Sequence, residues 1–243
     1  MEKFKTRKEE IITKSMKNFN PEKIARDYSF ENRGKTNVLL PARKLLSKKF
    51  RKSRILLIGF GGTISSGYTP THETIVPLHP SPAIKQIKYL NLFGISNIPY
   101  DRLDFLAKDS REITTKDIAE LLDVIHMVPN DKILITAGTY MLPKIAEIIA
   151  RVCGQLSKRV VLTGSILPAG FVASDADANI WSAITVLNNT QKPPHKESRI
   201  FIVFHGRVFS SVQEFQKLNF HQKKTQKMVI QYPLSVVPVK GVL

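Results

Sequence analysis

Ile55-Leu56-Leu57-Ile58-Gly59-Phe60-Gly61-Gly62-Thr63-Ile64-Ser65 is the stretch on which the reading of this chain turns. An apolar run that stops at a glycine pair describes a buried strand breaking into a tight turn, with a small hydroxyl delivered at the carboxyl edge of a sheet. In open α/β sheets that edge is where ligands bind. Two later segments repeat the arrangement: Ile133-Leu134-Ile135 leads into Thr136-Ala137-Gly138-Thr139, and Lys158-Arg159 leads into Val160-Val161-Leu162-Thr163-Gly164-Ser165. Two threonines and a lysine on neighbouring strands supply a hydroxyl nucleophile and an amine to move its proton. These parts fit a hydrolase acting on a small carbonyl compound, provided that Thr63, Thr139 and Lys158 meet around one hollow.

From Arg54 onward, strand and helix patterns alternate. That predicts an α/β fold: an open, mostly parallel sheet with helices on both faces, preceded by a basic helical arm. After the first strand, Ser65 to His79 reads as a long irregular loop. A helix from Ser81-Pro82 through Leu90 follows, then a strand over Leu103 to Ala107 ending at Lys108-Asp109-Ser110. Thr114, Thr115 and Asp117 start a helix over Ile118 to Met127, and Pro143 sits in the first turn of a helix carrying Ile145, Ile148, Ile149 and Val152. Ser174 with Asp177 three residues on forms a variant capping box for a helix over Ala178 to Leu187. Arg199 to Phe204 is the last clear strand. Beyond Lys223, Met228 to Gln231 and Ser235 to Val237 read as short edge strands cut by Pro233 and Pro238.

With 243 residues, 42% of them hydrophobic, the chain can bury a core, and no apolar run approaches the ~20 residues a membrane-spanning helix needs. The charged amino terminus, Met1-Glu2-Lys3-Phe4-Lys5, does not resemble a secretory signal, and the single cysteine, Cys153, rules out an internal disulfide. A reducing, cytoplasmic setting is expected. The net charge of +17 is concentrated at one end, with 17 Lys/Arg against 6 Asp/Glu in residues 1 to 54. Residues 1–53 therefore form a basic extension, with amphipathic helices over 7–19 and 42–52, ahead of a domain over 54–243. Such an arm attracts anionic partners such as nucleic acid, acidic protein or anionic lipid, or serves as a solvated tail.

Three other chemistries fail on their residues. Gly59-Phe60-Gly61-Gly62 is not followed by a helix whose amino terminus would hold a phosphate, and the third glycine of a dinucleotide loop is missing. The six histidines, His72, His79, His126, His195, His205 and His221, show no metal-ligand spacing, so neither a metal nor a cofactor is expected. No Gly-x-Ser-x-Gly elbow occurs for a serine triad.

The segments Gly61-Gly62-Thr63-Ile64-Ser65, Lys108-Asp109-Ser110, Ala137-Gly138-Thr139, Lys158 to Ser165 and Ser174-Asp175-Ala176 through Asn179, in that order, resemble the bacterial-type L-asparaginase family in a short form with the amino-terminal domain only. The likeness runs from about Ile55 to Phe209. It implies that Thr63 is the nucleophile attacking a side-chain amide, with Tyr68 over it, and that Thr139 and Lys158 form the proton-transfer pair. It further implies that backbone amides beside the threonines, at Gly62 and Gly138, hold the oxyanion, that Asp109 and Ser110 orient the amino-acid end of the substrate, and that the protein is a dimer or tetramer. Departures from the family pattern are Phe60 before Gly61, Ala137 in place of histidine, and Tyr140-Met141 in place of Asp-Thr. A phenol cannot supply the negative charge that pairs with an ammonium, so Tyr140 marks an altered amino-acid end. The expected activity is release of ammonia from L-asparagine or a related amide through a threonyl ester. The alternatives are a scaffold that binds without turnover, its arm engaging an anionic partner, and amidase chemistry on a tRNA-linked amide.

Overall fold

The computed structural model describes residues 49–68, 75–77, 99–154, 156–189 and 199–218. The expected helices over 7–19 and 82–90, most of that over 42–52, and the edge strands after Lys223 lie outside the described residues. So does the side chain of Tyr68.

Five parallel strands and one antiparallel strand make the main sheet. In chain order they are β1 (Ile55–Phe60), β4 (Tyr100–Leu106), β5 (Lys132–Ala137), β6 (Arg159–Thr163), β7 (Ile200–Phe204) and β8 (Arg207–Phe209). They lie side by side as β4-β1-β5-β6-β7-β8, and only β8 runs antiparallel, folding back on β7 through His205-Gly206. The helices are α1 (Thr115–Met127), α2 (Leu142–Cys153), α3 (Ala176–Asn188) and α4 (Val212–Lys217). The region read as a loop from Ser65 holds a short hairpin, β2 (Ser66–Tyr68) against β3 (Ile75–Pro77), which Gly67 and Pro77 had disguised.

The alternation of apolar residues along each strand sorts the core into two layers. Leu56, Ile58 and Phe60 of β1, Ile133, Ile135 and Ala137 of β5, Val160 and Leu162 of β6, and Ile200 and Ile202 of β7 pack beneath α1, α2 and Phe215 of α4. Ile55, Leu57, Leu134, Val161, Phe201 and Val203 face the other way, onto Ile180, Ala183, Ile184 and Leu187 of α3. Each Val, Leu, Ile or Phe among them contributes about 1.5–3 kcal/mol when fully buried, so the two-sided burial fixes the strand register. Helices thus cover both faces. Because α2 and α3 lead successive strands in the same direction across the sheet from opposite faces, their crossovers have opposite hands. One of the two departs from the right-handed preference of about 98%.

Two expectations need correction. Phe50, placed in the basic arm, is buried in the α1/α2 layer, the Asn130 side chain donates to the carbonyls of Arg51 and Arg54, and Asp131 N–H donates to Lys52 O. The backbone leaves the helical state after Lys49 because Phe50 has a core to enter, so the last residues ahead of position 54 belong to the domain. The capping box proposed for Ser174 and Asp177 is absent as well. Helix α3 begins at Ala176 after Asp175, and the Ser174 hydroxyl accepts from Ala176 N–H, because the Asp175 carboxylate is drawn back onto the preceding loop. The box at α1 does form: Thr114 accepts from Asp117 N–H while the Asp117 carboxylate accepts from Thr114 N–H.

Candidate active site

The chain leaves β1 toward β4 on one side and leaves β5 toward β6 on the other, so the gap between the carboxyl ends of β1 and β5 is the sheet's switch point. Ligands of open α/β sheets bind at such a place. Thr63 follows β1 and Thr139 follows β5, so the threonine-bearing loops flank this gap.

Glycine makes the convergence of four loops possible. Gly61 and Gly62 have φ of +68° and +75°, which side chains rarely tolerate. A Cβ on Gly62 would stand 2.1 Å from Gly138 Cα, and one on Gly138 would stand 2.6 Å from Ser110 Oγ. A Cβ on Gly164 would lie 2.6 Å from Ala137 O and 3.2 Å from the Thr139 methyl. The loops after β1, β4, β5 and β6 therefore touch backbone to backbone. Thr63 opens a 3-10 turn (Thr63–Ser65) and stays partly exposed, while Ser110, Thr139 and Ser165, on the loops after β4, β5 and β6, are buried.

Gly62 was expected to offer its amide to an oxyanion, but that N–H donates to Lys108 O at 2.9 Å. Its carbonyl accepts from Ser65 N–H and from the Ser66 hydroxyl at 2.9 Å. Both polar groups of Gly62 are spent on backbone and side chains of its own loop and the loop after β4, so its contribution is conformational. Gly138 O likewise accepts from Met141 and Leu142 N–H, which starts α2.

Lys158 is not part of this cluster. It precedes β6, so it lies at the amino edge of the sheet, with Thr163 at the far end of the strand. At about 3.3 Å per residue the two edges are roughly 15 Å apart. Its ammonium donates to the carbonyls of Val128 and Asn130, where the end of α1 presents unsatisfied oxygens and a negative dipole. Arg159 does the same for α3 through the carbonyls of Val186, Leu187 and Asn189. The reading of Lys158 as the partner of Thr139 in proton transfer is withdrawn.

Among the described residues near the gap, several ionised groups are paired. Asp109 accepts from Arg111 N–H, from Nε at 2.8 Å and from Nη2 at 2.5 Å, so its carboxylate is occupied by its own neighbour rather than held open for a substrate. This raises the Arg111 guanidinium above its ordinary value, against a smaller opposing cost of burial. The Lys108 ammonium lies 2.9 and 3.0 Å from the two oxygens of Asp117. Burial alone would raise Asp117, but hydrogen bonds from Lys108 and Thr114 together with the Lys108 charge hold it below the usual carboxylate range. Tyr140 is partly buried beside Arg111, and loss of solvent pushes its phenol up. Asp175 accepts from Ile166 and Leu167 N–H and from Asn179, and lies 3.3 Å from His205 Nε2. Asn179 in turn donates to Gly164 O and accepts from His205 N–H, tying the ends of β6 and β7 together. Among the described residues no group of three metal-ligating side chains occurs, and no helix is long and apolar enough to cross a membrane.

The structure also locates the departures noted in the sequence. Phe60 stacks on Phe105 with ring centroids 5.8 Å apart, and Ala137 and Met141 are buried in the same layer beneath α1 and α2. Three of the four differences are thus buried core packing, and half-buried Tyr140 packs against the same layer. Sequence reasoning missed Arg111, two residues from Asp109 and spaced for the chelate that it forms, and Asn179, quoted only as the end of a motif. It also missed α4, although Ser211 and Glu214 form the Ser-x-x-Glu capping box at its start.

Residues 54–238 match the family described as Asparaginase, N-terminal. The chain is 22% identical over 178 residues to a glutaminase-asparaginase from Acinetobacter glutaminasificans, covering 70% of this chain and 51% of that protein. Among solved structures, L-asparaginase I from Vibrio cholerae O1 biovar eltor aligns with a TM-score of 0.51 at 23% identity, covering 65% of this chain and 46% of that one. The thermostable L-asparaginase from Thermococcus kodakarensis aligns with a TM-score of 0.49 at 27% identity, over 64% of this chain and 45% of that one. The chain spans about half the length of these relatives. The family match covers more than half of the sequence, and the chain belongs to the asparaginase family, through its amino-terminal domain.

Proposed function

We propose that the protein is an amidohydrolase that releases ammonia from a small side-chain amide of the asparagine or glutamine type, with Thr63 as nucleophile. The observation that carries this reading is the position of Thr63: partly exposed, on a loop forced by two positive-φ glycines, and at the switch point beside the loop of buried Thr139. In the proposed reaction the Thr63 oxygen bonds to the amide carbon, the C–N bond breaks, and the threonine proton leaves with ammonia. Water then hydrolyses the threonyl ester and returns a proton to the hydroxyl. Thr139 lines the reacting end. Membership of the asparaginase family and the likeness to a glutaminase-asparaginase support the substrate class.

The distance of Lys158 from the threonines favours a second reading, in which the same scaffold binds an amide and does not turn it over. One comparison separates the two: ammonia release from asparagine and glutamine by the wild type and by Thr63→Ala. Release that disappears in the variant supports hydrolysis, and equal background release by both proteins leaves only the binding reading. For organisation, the proposal is a basic extension up to about residue 48, whose charge suits an anionic partner, followed by the asparaginase-like domain.

A further inference from the structure

At the amino edge of the sheet, opposite the threonine loops, cations stand side by side. Lys132 opens β5 and pairs in register with Arg159 of β6. Val160 pairs with Ile200, so Arg199, just ahead of β7, stands opposite Arg159. Neighbouring strands are about 4.8 Å apart, so the three cations form a row of roughly 10 Å. Lys132 Nζ donates to Asn188 Oδ1, and Arg159 donates to the carbonyls of Val186 and Leu187, so both lie against the end of α3. That end supplies roughly half a negative charge, against three positive ones. Like charges on adjacent strands cost stability, and the repulsion registers here: burial first, and then the charge of Arg199, hold the Arg159 guanidinium below its ordinary value. Arg199 is exposed, and no carboxylate among the described residues pairs with it.

The same edge receives the chain ahead of β1. Arg51 and Lys52 are exposed there, their backbone fixed by Asn130 Nδ2 donating to Arg51 O and Asp131 N–H donating to Lys52 O. Asp101 is taken by Arg54 at 3.0 Å, and Asp131 lies 3.8 Å from Lys52 with both side chains open to water, a pair worth little. The large exposed apolar side chains among the described residues lie elsewhere, on the loop after β6, on α3 and on β8. A protein partner favours an apolar centre poor in lysine, and a bilayer surface is held by an apolar anchor. A polar, strongly positive face is the kind that nucleic acid takes.

We propose that this amino edge binds the phosphodiester backbone of a nucleic acid, with Arg51, Lys52 and Arg199 as the contacting cations and Lys132 and Arg159 adding their field. One strand of nucleic acid advances about 3.4 Å per charge, so the row spans roughly three phosphates. Contacts of this kind hold the backbone and carry no base sequence. The surface is across the sheet from Thr63 and does not depend on the amidase reading.

The test is fluorescence anisotropy of a short labelled oligouridylate with the full chain over a series of salt concentrations. Two triple variants lose the same charge: Arg51→Gln/Lys52→Gln/Arg199→Gln on the edge, and Lys3→Gln/Lys5→Gln/Arg7→Gln near the amino terminus. All three edge side chains are exposed, and melting temperatures confirm that both variants fold. Each phosphate contact contributes about 0.7 to the slope of log K against log salt, so the edge variant should lose about 2 from the slope and bind about 10-fold or more weakly. The terminal variant should lose clearly less. No binding by the wild type, an edge variant that keeps the wild-type slope and Kd, or equal losses in the two variants overturns the proposal, the last because net charge alone would then account for binding. Phosphatidylserine vesicles supply the other polyanion: vesicle binding that needs the three edge cations, with no oligouridylate binding, assigns the surface to lipid and also overturns it.

Discussion

Replacing Gly62 with alanine tests whether the loops after β1 and β5 truly meet. Gly62 has φ +75° and ψ −178°, a region populated essentially by glycine, and holding another residue there costs about 1–3 kcal/mol. The added Cβ would also fall 2.1 Å from Gly138 Cα and 2.2 Å from Gly138 N, which are backbone atoms with no rotamer to yield. Relief requires separating the ends of two hydrogen-bonded central strands, so the total should reach about 3 kcal/mol or more, as for other overpacked cores. For a domain of this size that is a fall in Tm of roughly 6–12 °C. Gly170→Ala is the control, because a Cβ there meets nothing within 4 Å. Differential scanning calorimetry of both variants reads the difference. A Gly62→Ala protein that melts with the wild type would mean that the two loops stand apart, and the site built on their contact would go with it.

Four further outcomes are expected. Lys158→Met should lower stability, because the carbonyls of Val128 and Asn130 lose their cation, yet leave turnover within a few-fold; abolished turnover with an unchanged melt would restore the catalytic role withdrawn above. Removing residues 1–48 should leave a cooperative melt, whereas Phe50→Ala should cost about 3–5 kcal/mol by chemical denaturation, and the opposite pattern would move the domain boundary back. The Asp117 carboxyl is depressed in the folded protein, so its contribution is fully present above the ordinary carboxylate value and is lost as pH falls through the folded one. Asp117→Asn should therefore weaken the protein at neutral pH and flatten the loss of stability below about pH 4; an unchanged pH profile would show that the Lys108–Asp117 pair adds nothing. Burial pushes the Cys153 thiol up to about 12, so alkylation at neutral pH should proceed only at the rate of unfolding, and rapid labelling of native protein would contradict its packing.

The strands that build the site were legible because both faces of the sheet are covered. Ile55 to Ile58 and Ile133 to Ile135 read as continuous apolar runs, and the glycines that follow mark where the backbone must turn. What failed was position along the strand. Lys158 precedes its strand and Thr139 follows its own, and in a parallel sheet those are opposite edges, so the rise per residue alone separates them. Helix polarity explains where the lysine went, since the helices return their carboxyl ends, and their need for cations, to the amino edge. Phe50 was misplaced because a lone aromatic among Lys48, Lys49, Arg51 and Lys52 carries no periodic signal, and only the tertiary fold shows the core that it enters. The hairpin of β2 and β3 was hidden by strands of three residues, too short for alternation to register.

The central claim is that Thr63, presented between β1 and β5, performs the chemistry and Lys158 does not. Ammonia release, measured with asparagine and glutamine on the wild type, Thr63→Ala and Lys158→Met at matched folded concentration, tests it most directly. The account predicts release on at least one of these amides that vanishes in Thr63→Ala and persists in Lys158→Met. Release that survives in Thr63→Ala, or that is absent from all three proteins on both amides, contradicts it.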